Sequence, residues 1–198
     1  MTIFIIGAVL LGIITGSFLQ SSGINIDISQ IACLILYFLI FCVGLDLGKN
    51  RKIVQDIQQL GTKAFLIPFN VAVGSILGSA LFGLFLKLPF NEASAIGAGL
   101  GWYSFSSIII AQTYSVEIAA LAFLTNVARE ILTIILIPIL AKNKNSSLLI
   151  APGGATTMDI TLPLINKYGG RQAAILGFIN GFILSLLVVI LVPILIKL

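Results

Sequence analysis

Seven apolar segments, at residues 3–19, 30–47, 64–86, 93–111, 116–141, 147–165 and 172–196, occupy most of this chain. Most approach or exceed the ~20 residues that a helix needs to cross a hydrocarbon core. Backbone amides in lipid must be satisfied within their own segment, so such stretches fold as helices. Composition leaves no soluble alternative: 59% of residues are hydrophobic, only 9% are charged, and the mean hydropathy is +1.15. The predicted fold class is an all-α polytopic membrane protein. The first segment starts at Met1 with neither a basic leader nor a small-residue cleavage site, which reads as a retained helix rather than a signal peptide.

Charge orders these segments. Lys49, Arg51, Lys52 and Lys63 cluster between the second and third segments, which assigns that loop to the cytoplasm. The first loop carries Asp27 and no base, so it is expected outside and the N-terminus inside. Strict alternation of seven spans would place Lys142 and Lys144 outside but Lys167 and Arg171 inside. The conflict vanishes if 93–111 and 147–165 are re-entrant hairpins, entering and leaving on one side. About five full spans then remain, with an external C-terminus. The net charge of +4 sits in short loops and gives no reason to expect nucleic acid as a partner; the expected partner is the lipid bilayer.

Sliding the chain by 55 residues aligns Ile135–Lys142 with Ile190–Lys197, both apolar runs around a proline that end in lysine. In the same register Gly99 meets Gly154, Phe123 meets Phe178, and Ser104 falls opposite Asp159. Residues 1–198 are read as a single membrane domain: N-terminal helices over 1–92, a first unit of hairpin plus helix over 93–142, and a second over 147–197. Under the charge-derived topology the two units are inverted. Inverted repeats with broken helices meeting near the midplane are the architecture of secondary transporters.

The candidate site residues lie where apolar patterning fails. Ala151-Pro-Gly-Gly-Ala-Thr-Thr-Met-Asp159 makes a poor lipid-facing helix and a reasonable place to hold a cation, with Gly153, Gly154, Thr156 and Thr157 around Asp159. A carboxylate in hydrocarbon needs a cation, water or a proton. The first hairpin offers Gly99 and Gly101, where backbone can approach a ligand closely, and the hydroxyls of Tyr103 and Ser104. Helix packing through small residues, with Trp102 and Tyr103 as interfacial anchors, is the plain alternative. Asn126, Arg129, Glu130 and Thr133 share a face of one helix. Arg129 either neutralises Asp159 or Glu130, or binds a substrate carboxylate. Asp46 is either a buried carboxylate on a transport path or a membrane-edge partner of Lys49. Gly177-Gly181-Ser185 reads as a helix contact, with Asn180 beside it. There is no histidine, and Cys33 and Cys42 lie within one predicted helix. No metal, no cofactor and no enzyme chemistry are therefore expected.

At these residues the sequence resembles the LysO-type L-lysine exporter family of bacteria and archaea. The resemblance is carried by Gly101-Trp-Tyr-Ser104, Asn126-Val-Ala-Arg-Glu130, Gly154-Ala-Thr-Thr-Met-Asp-Ile-Thr-Leu-Pro163 and Gly181-Phe-Ile-Leu-Ser-Leu186. It implies export of L-lysine and its analogue thialysine across the inner membrane of a bacterium or archaeon. Asp159 would handle the cation; Asp46 stands in a similar context. Full-length members carry a further N-terminal membrane region that this chain does not match. The resemblance therefore implies a homo-oligomer, or a small membrane partner that supplies the missing helices.

The expected mechanism is proton antiport. The substrate ε-ammonium meets Asp159, helped by Glu130, and the α-carboxylate meets free N–H groups around Gly99–Gly101 or Gly153–Gly154. Asp159, and Asp46 if it is buried, would exchange a proton for the cation. The rivals are an inert subunit awaiting a partner, a passive channel for cationic solutes, and an intramembrane hydrolase using Asp46 and Asp159.

Overall fold

A computed structural model describes residues 61–143 and 146–198, with scattered positions between Gly7 and Phe41. The chain divides into two compact units, Met1–Phe38 and Leu39–Leu198. In the first, the described positions are helical, and the Thr15 hydroxyl donates to the Leu11 carbonyl at 2.7 Å, a bond that satisfies a polar group on an apolar helix. Asp46 lies outside the described residues.

The second unit contains α1 (Lys63–Phe85), α2 (Phe90–Gly97), α3 (Tyr103–Thr113), α4 (Val116–Leu140), α5 (Ser146–Ile150) and α6 (Leu162–Leu195). A 3-10 stretch, Ala151–Met158, joins α5 to α6. Among the described residues every regular element is helical. Three stretches, Phe65–Phe85, Val116–Asn143 and Leu162–Leu195, are long and apolar enough to cross a membrane.

The segments at 93–111 and 147–165 are not single helices. The first breaks between α2 and α3, where Leu100 has φ 47° and Gly101 φ 97°. The second breaks at Gly154, with φ 60° and ψ −129°. Positive φ is freely open to glycine and costs a side-chain-bearing residue such as Leu100 about 1–2 kcal/mol. A third glycine, Gly170 with φ 75°, kinks α6, so its long limb starts at Arg171. These boundaries follow the 55-residue offset of the sequence. Val116, the start of α4, maps onto Arg171, and its last residue, Leu140, maps onto Leu195.

The two hairpins open at opposite ends of that long limb. Tyr114 donates from its hydroxyl to Glu92 at 2.7 Å, drawing the end of α3 to the start of α2. Asn91 donates to the carbonyl of Ile196 at 3.2 Å, which ties this mouth to the C-terminal end of α6. At the other end, a Cβ on Gly169 would stand 2.9 Å from the Leu149 side chain, so α5 enters beside the kink.

Burial follows sequence periodicity. On α4 the buried residues Ala119, Ala122, Asn126, Glu130, Thr133 and Ile137 recur every three or four positions and form one stripe. Ser115 caps this helix by accepting from the N–H of Ile118 at 3.5 Å. Helix α6 is half-buried, whereas α1 is mostly exposed. Phe65, Phe69, Leu81, Phe82 and Phe85 of α1 are exposed.

Candidate substrate site at the paired helix breaks

The two breaks touch. The N–H of Ala155 donates to the carbonyl of Leu100 at 2.8 Å, and a Cβ on Gly101 would lie 3.1 Å from the carbonyl oxygen of Gly153. A Cβ on Gly154 would overlap the Leu100 carbonyl oxygen. Glycine is needed here because two backbones pass at a distance that excludes a side chain.

Two asparagines pin the crossing. Asn126 of α4 accepts from the N–H of Gly101 at 2.7 Å and donates to the carbonyls of Ala122 at 2.9 Å and Ile96 at 3.3 Å. Asn180 of α6 donates to the Gly154 carbonyl and to the Thr157 hydroxyl, each at 3.1 Å. Thr157 also reaches the Gly177 carbonyl at 2.7 Å. Gly177 and Gly181, read from sequence as a helix contact, instead seat this broken segment: a Cβ on Gly181 would lie 2.6 Å from the N–H nitrogen of Met158. Each pin satisfies backbone groups that the break removes from helical bonding, which an apolar interior requires.

Beside the crossing is a cavity of about 200 Å³ that brings together residues from both hairpins. Gly101, Trp102, Tyr103 and Ser104 of the first segment line it together with Ala155, Thr156, Met158, Asp159 and Ile160 of the second. Asp159 is exposed, and its Oδ1 accepts from the N–H of Ile160 at 2.5 Å. Thr156 is turned inward: its hydroxyl donates to the Gly153 carbonyl at 2.9 Å and lies 3.4 Å from that of Thr161. Tyr103 packs edge-on against Phe123, with ring centroids 5.4 Å apart, and Trp102 stacks on Phe105 at 5.0 Å.

Glu130 is 4% exposed, and its Oε2 has no hydrogen-bond partner among the described residues.

Arg129 is bonded to neither Asp159 nor Glu130, the two acids that the sequence offered it. Its Nε donates to the Pro152 carbonyl at 2.8 Å, one terminal nitrogen to the Ser75 hydroxyl at 2.9 Å, and the other to the Ala151 carbonyl at 3.5 Å. It forms no ion pair among the described residues. A planar fork of donors suits several carbonyls at once. The guanidinium lines a separate, mostly apolar cavity of about 1110 Å³ beside α1 and α4.

The expected anion site at Gly99–Gly101 is also altered. Gly99 and Leu100 donate to the carbonyls of Ile96 and Gly97, Trp102 donates to that of Gly99, and Gly101 donates to Asn126. These N–H groups are already used. Gly99 instead packs closely, since a Cβ there would lie 2.9 Å from the hydroxyl of Ser106.

Asp159, Tyr103, Ser104, Gly101 and Thr156 therefore meet in one cavity, while Asn126, Arg129, Gly153, Gly154 and Thr157 build the crossing. Met158 and Ile160 carried no signal because apolar residues are unremarkable in an apolar chain. Trp102, read from sequence as an anchor, lines the cavity.

Two facing helix breaks with a carboxylate beside their crossing define a multi-pass membrane protein organised around discontinuous helices. The profile of the family described as lysine exporter LysO matches residues 6–196, and the chain belongs to that family. It is similar to the lysine exporter LysO of Escherichia coli (strain K12), 38% identical over 157 residues, which are 79% of this chain and 52% of that protein. It is also similar to a putative lysine exporter of Haemophilus influenzae (strain ATCC 51907 / DSM 11121 / KW20 / Rd), 29% identical over 188 residues and 92% of each chain. The chain spans about half the length of the Escherichia coli relative. No solved structure matches it.

Proposed function

We propose that this chain exports L-lysine, and analogues such as thialysine, from the cytoplasm in exchange for protons. The observation that carries the reading is the position of Asp159: a carboxylate from one broken hairpin faces Tyr103 and Ser104 of the other across a cavity at their crossing. Family membership and the printed names of the two relatives support lysine as the substrate.

In this reading the ε-ammonium binds at Asp159 and the methylene stem lies against Trp102 and Met158. Glu130, with a buried and unpartnered oxygen, is the second acid. Asp159, open to the cavity, can hold either a proton or a bound cation. One site that alternates between the two couples the flows. Asn126, Asn180 and Arg129 act as positioning residues that hold the breaks aligned.

The proposed topology has five full spans and two hairpins related as an inverted repeat, in the inner membrane, with the N-terminus inside and the C-terminus outside. The opening of the hairpins at opposite ends of α6 supports the inversion. So does the charge distribution: Lys142, Lys167 and Arg171 fall toward the mouth of the second hairpin, the end assigned to the cytoplasm. A homo-oligomer, or a small partner, would complete the assembly.

The test is the full chain in liposomes with labelled lysine and an imposed pH gradient of either sign. The expected result is lysine movement that reverses with the gradient and is abolished by Asp159→Asn, with insertion intact. Lysine flux indifferent to pH, or undiminished in that variant, would overturn the reading.

A further inference from the structure

The Asp159 cavity offers an acid and an apolar wall, and little for an anion. Among the described residues no Lys or Arg lines it. The nearest candidate, Arg129, donates to Pro152, Ala151 and Ser75 and lines a different cavity. The N–H groups of Gly99, Leu100, Gly101 and Trp102 are bonded within the protein, so that stretch of the first break offers no free cradle for a carboxylate. Negative charge is present by contrast, with the carboxylate of Asp159 on the cavity wall. Trp102, Met158 and Ile160 supply apolar surface for a methylene chain.

We infer that this site recognises an alkylammonium chain rather than an amino-acid head group, so that α,ω-diamines of lysine's length are substrates as well. The inference rests on reading the cavity as the transport site. Lysine brings two ammonium groups and a carboxylate that the cavity does not answer. A diamine brings the same two ammonium groups and the same stem without the anion. One of its ammonium groups answers Asp159, and it brings no anion that needs a partner. Norleucine keeps the amino-acid head and a similar stem but lacks the terminal ammonium, which leaves Asp159 unanswered.

The experiment is displacement of labelled lysine from the full chain in liposomes by unlabelled lysine, 1,5-diaminopentane and norleucine, with direct uptake of labelled 1,5-diaminopentane alongside. The expected result is displacement by the diamine within about tenfold of lysine itself, and by norleucine at least a hundredfold more weakly, because a site built for a polar group strongly rejects an analogue lacking it. Displacement by norleucine but not by the diamine overturns the inference while lysine transport stands. Movement of the diamine without any lysine binding overturns the lysine reading and leaves this one. If neither ligand binds, both fall.

Discussion

Gly154→Ala is the sharpest test of the crossing. The added methyl would overlap the Leu100 carbonyl oxygen and come within 3.2 Å of the Arg129 guanidinium carbon. Neither neighbour can yield cheaply: the first is backbone, and the second is held by bonds to Pro152 and Ser75. The backbone at φ 60°, ψ −129° is itself costly for a residue with a Cβ, roughly 1–3 kcal/mol. Displacing Leu100 also breaks the 2.8 Å bond from Ala155, worth about 1 kcal/mol. The sum, about 2–4 kcal/mol, lowers the equilibrium constant for aligned over misaligned breaks by a factor of roughly thirty to several hundred. The assay pairs lysine flux in liposomes with the melting temperature in detergent. Gly74→Ala is the control, since nothing described lies within 4 Å of the Cβ it would add. Flux should fall at least tenfold in Gly154→Ala with helical content unchanged, while the control stays near wild type. Wild-type flux and melting in Gly154→Ala would refute the claim that the backbones must pass this closely.

Asn180→Ala removes two bonds to the second break and should destabilise the protein by about 1–3 kcal/mol, read as a lowered melting temperature. Arg129→Lys keeps the charge but not the three-way fork to Pro152, Ala151 and Ser75; a clear loss of flux and thermal stability is expected, because an ammonium cannot reproduce that geometry. Glu130→Gln retains the shape of a buried side chain and removes its charge, so insertion should persist while lysine binding weakens at least tenfold in a direct binding assay.

Much of the candidate site was legible in the sequence, and the reason is local. Pro152, Gly153 and Gly154 disfavour a continuous helix wherever they sit, and Asp159 in an apolar segment marks a polar environment whatever surrounds it. The offset that pairs Gly99 with Gly154 is likewise a property of the chain alone. The partner of Arg129 was not legible, because charge suggested Asp159 or Glu130 and the structure supplies backbone carbonyls. The same holds for Gly177 and Gly181, whose spacing suits a helix contact but whose bare surface accepts the Ala155–Met158 backbone.

Hydropathy and glycine's freedom in φ act within a few residues, so the helical, membrane-embedded character of the chain and the breaks in two of its segments could be read without a structure. Tertiary structure alone decided that Leu100 bonds Ala155, that Asn126 and Asn180 hold the breaks, and that Trp102, Tyr103 and Asp159 share a cavity. Those contacts join residues far apart in sequence, and only close packing of α4 and α6 around the unwound backbone selects which polar groups meet.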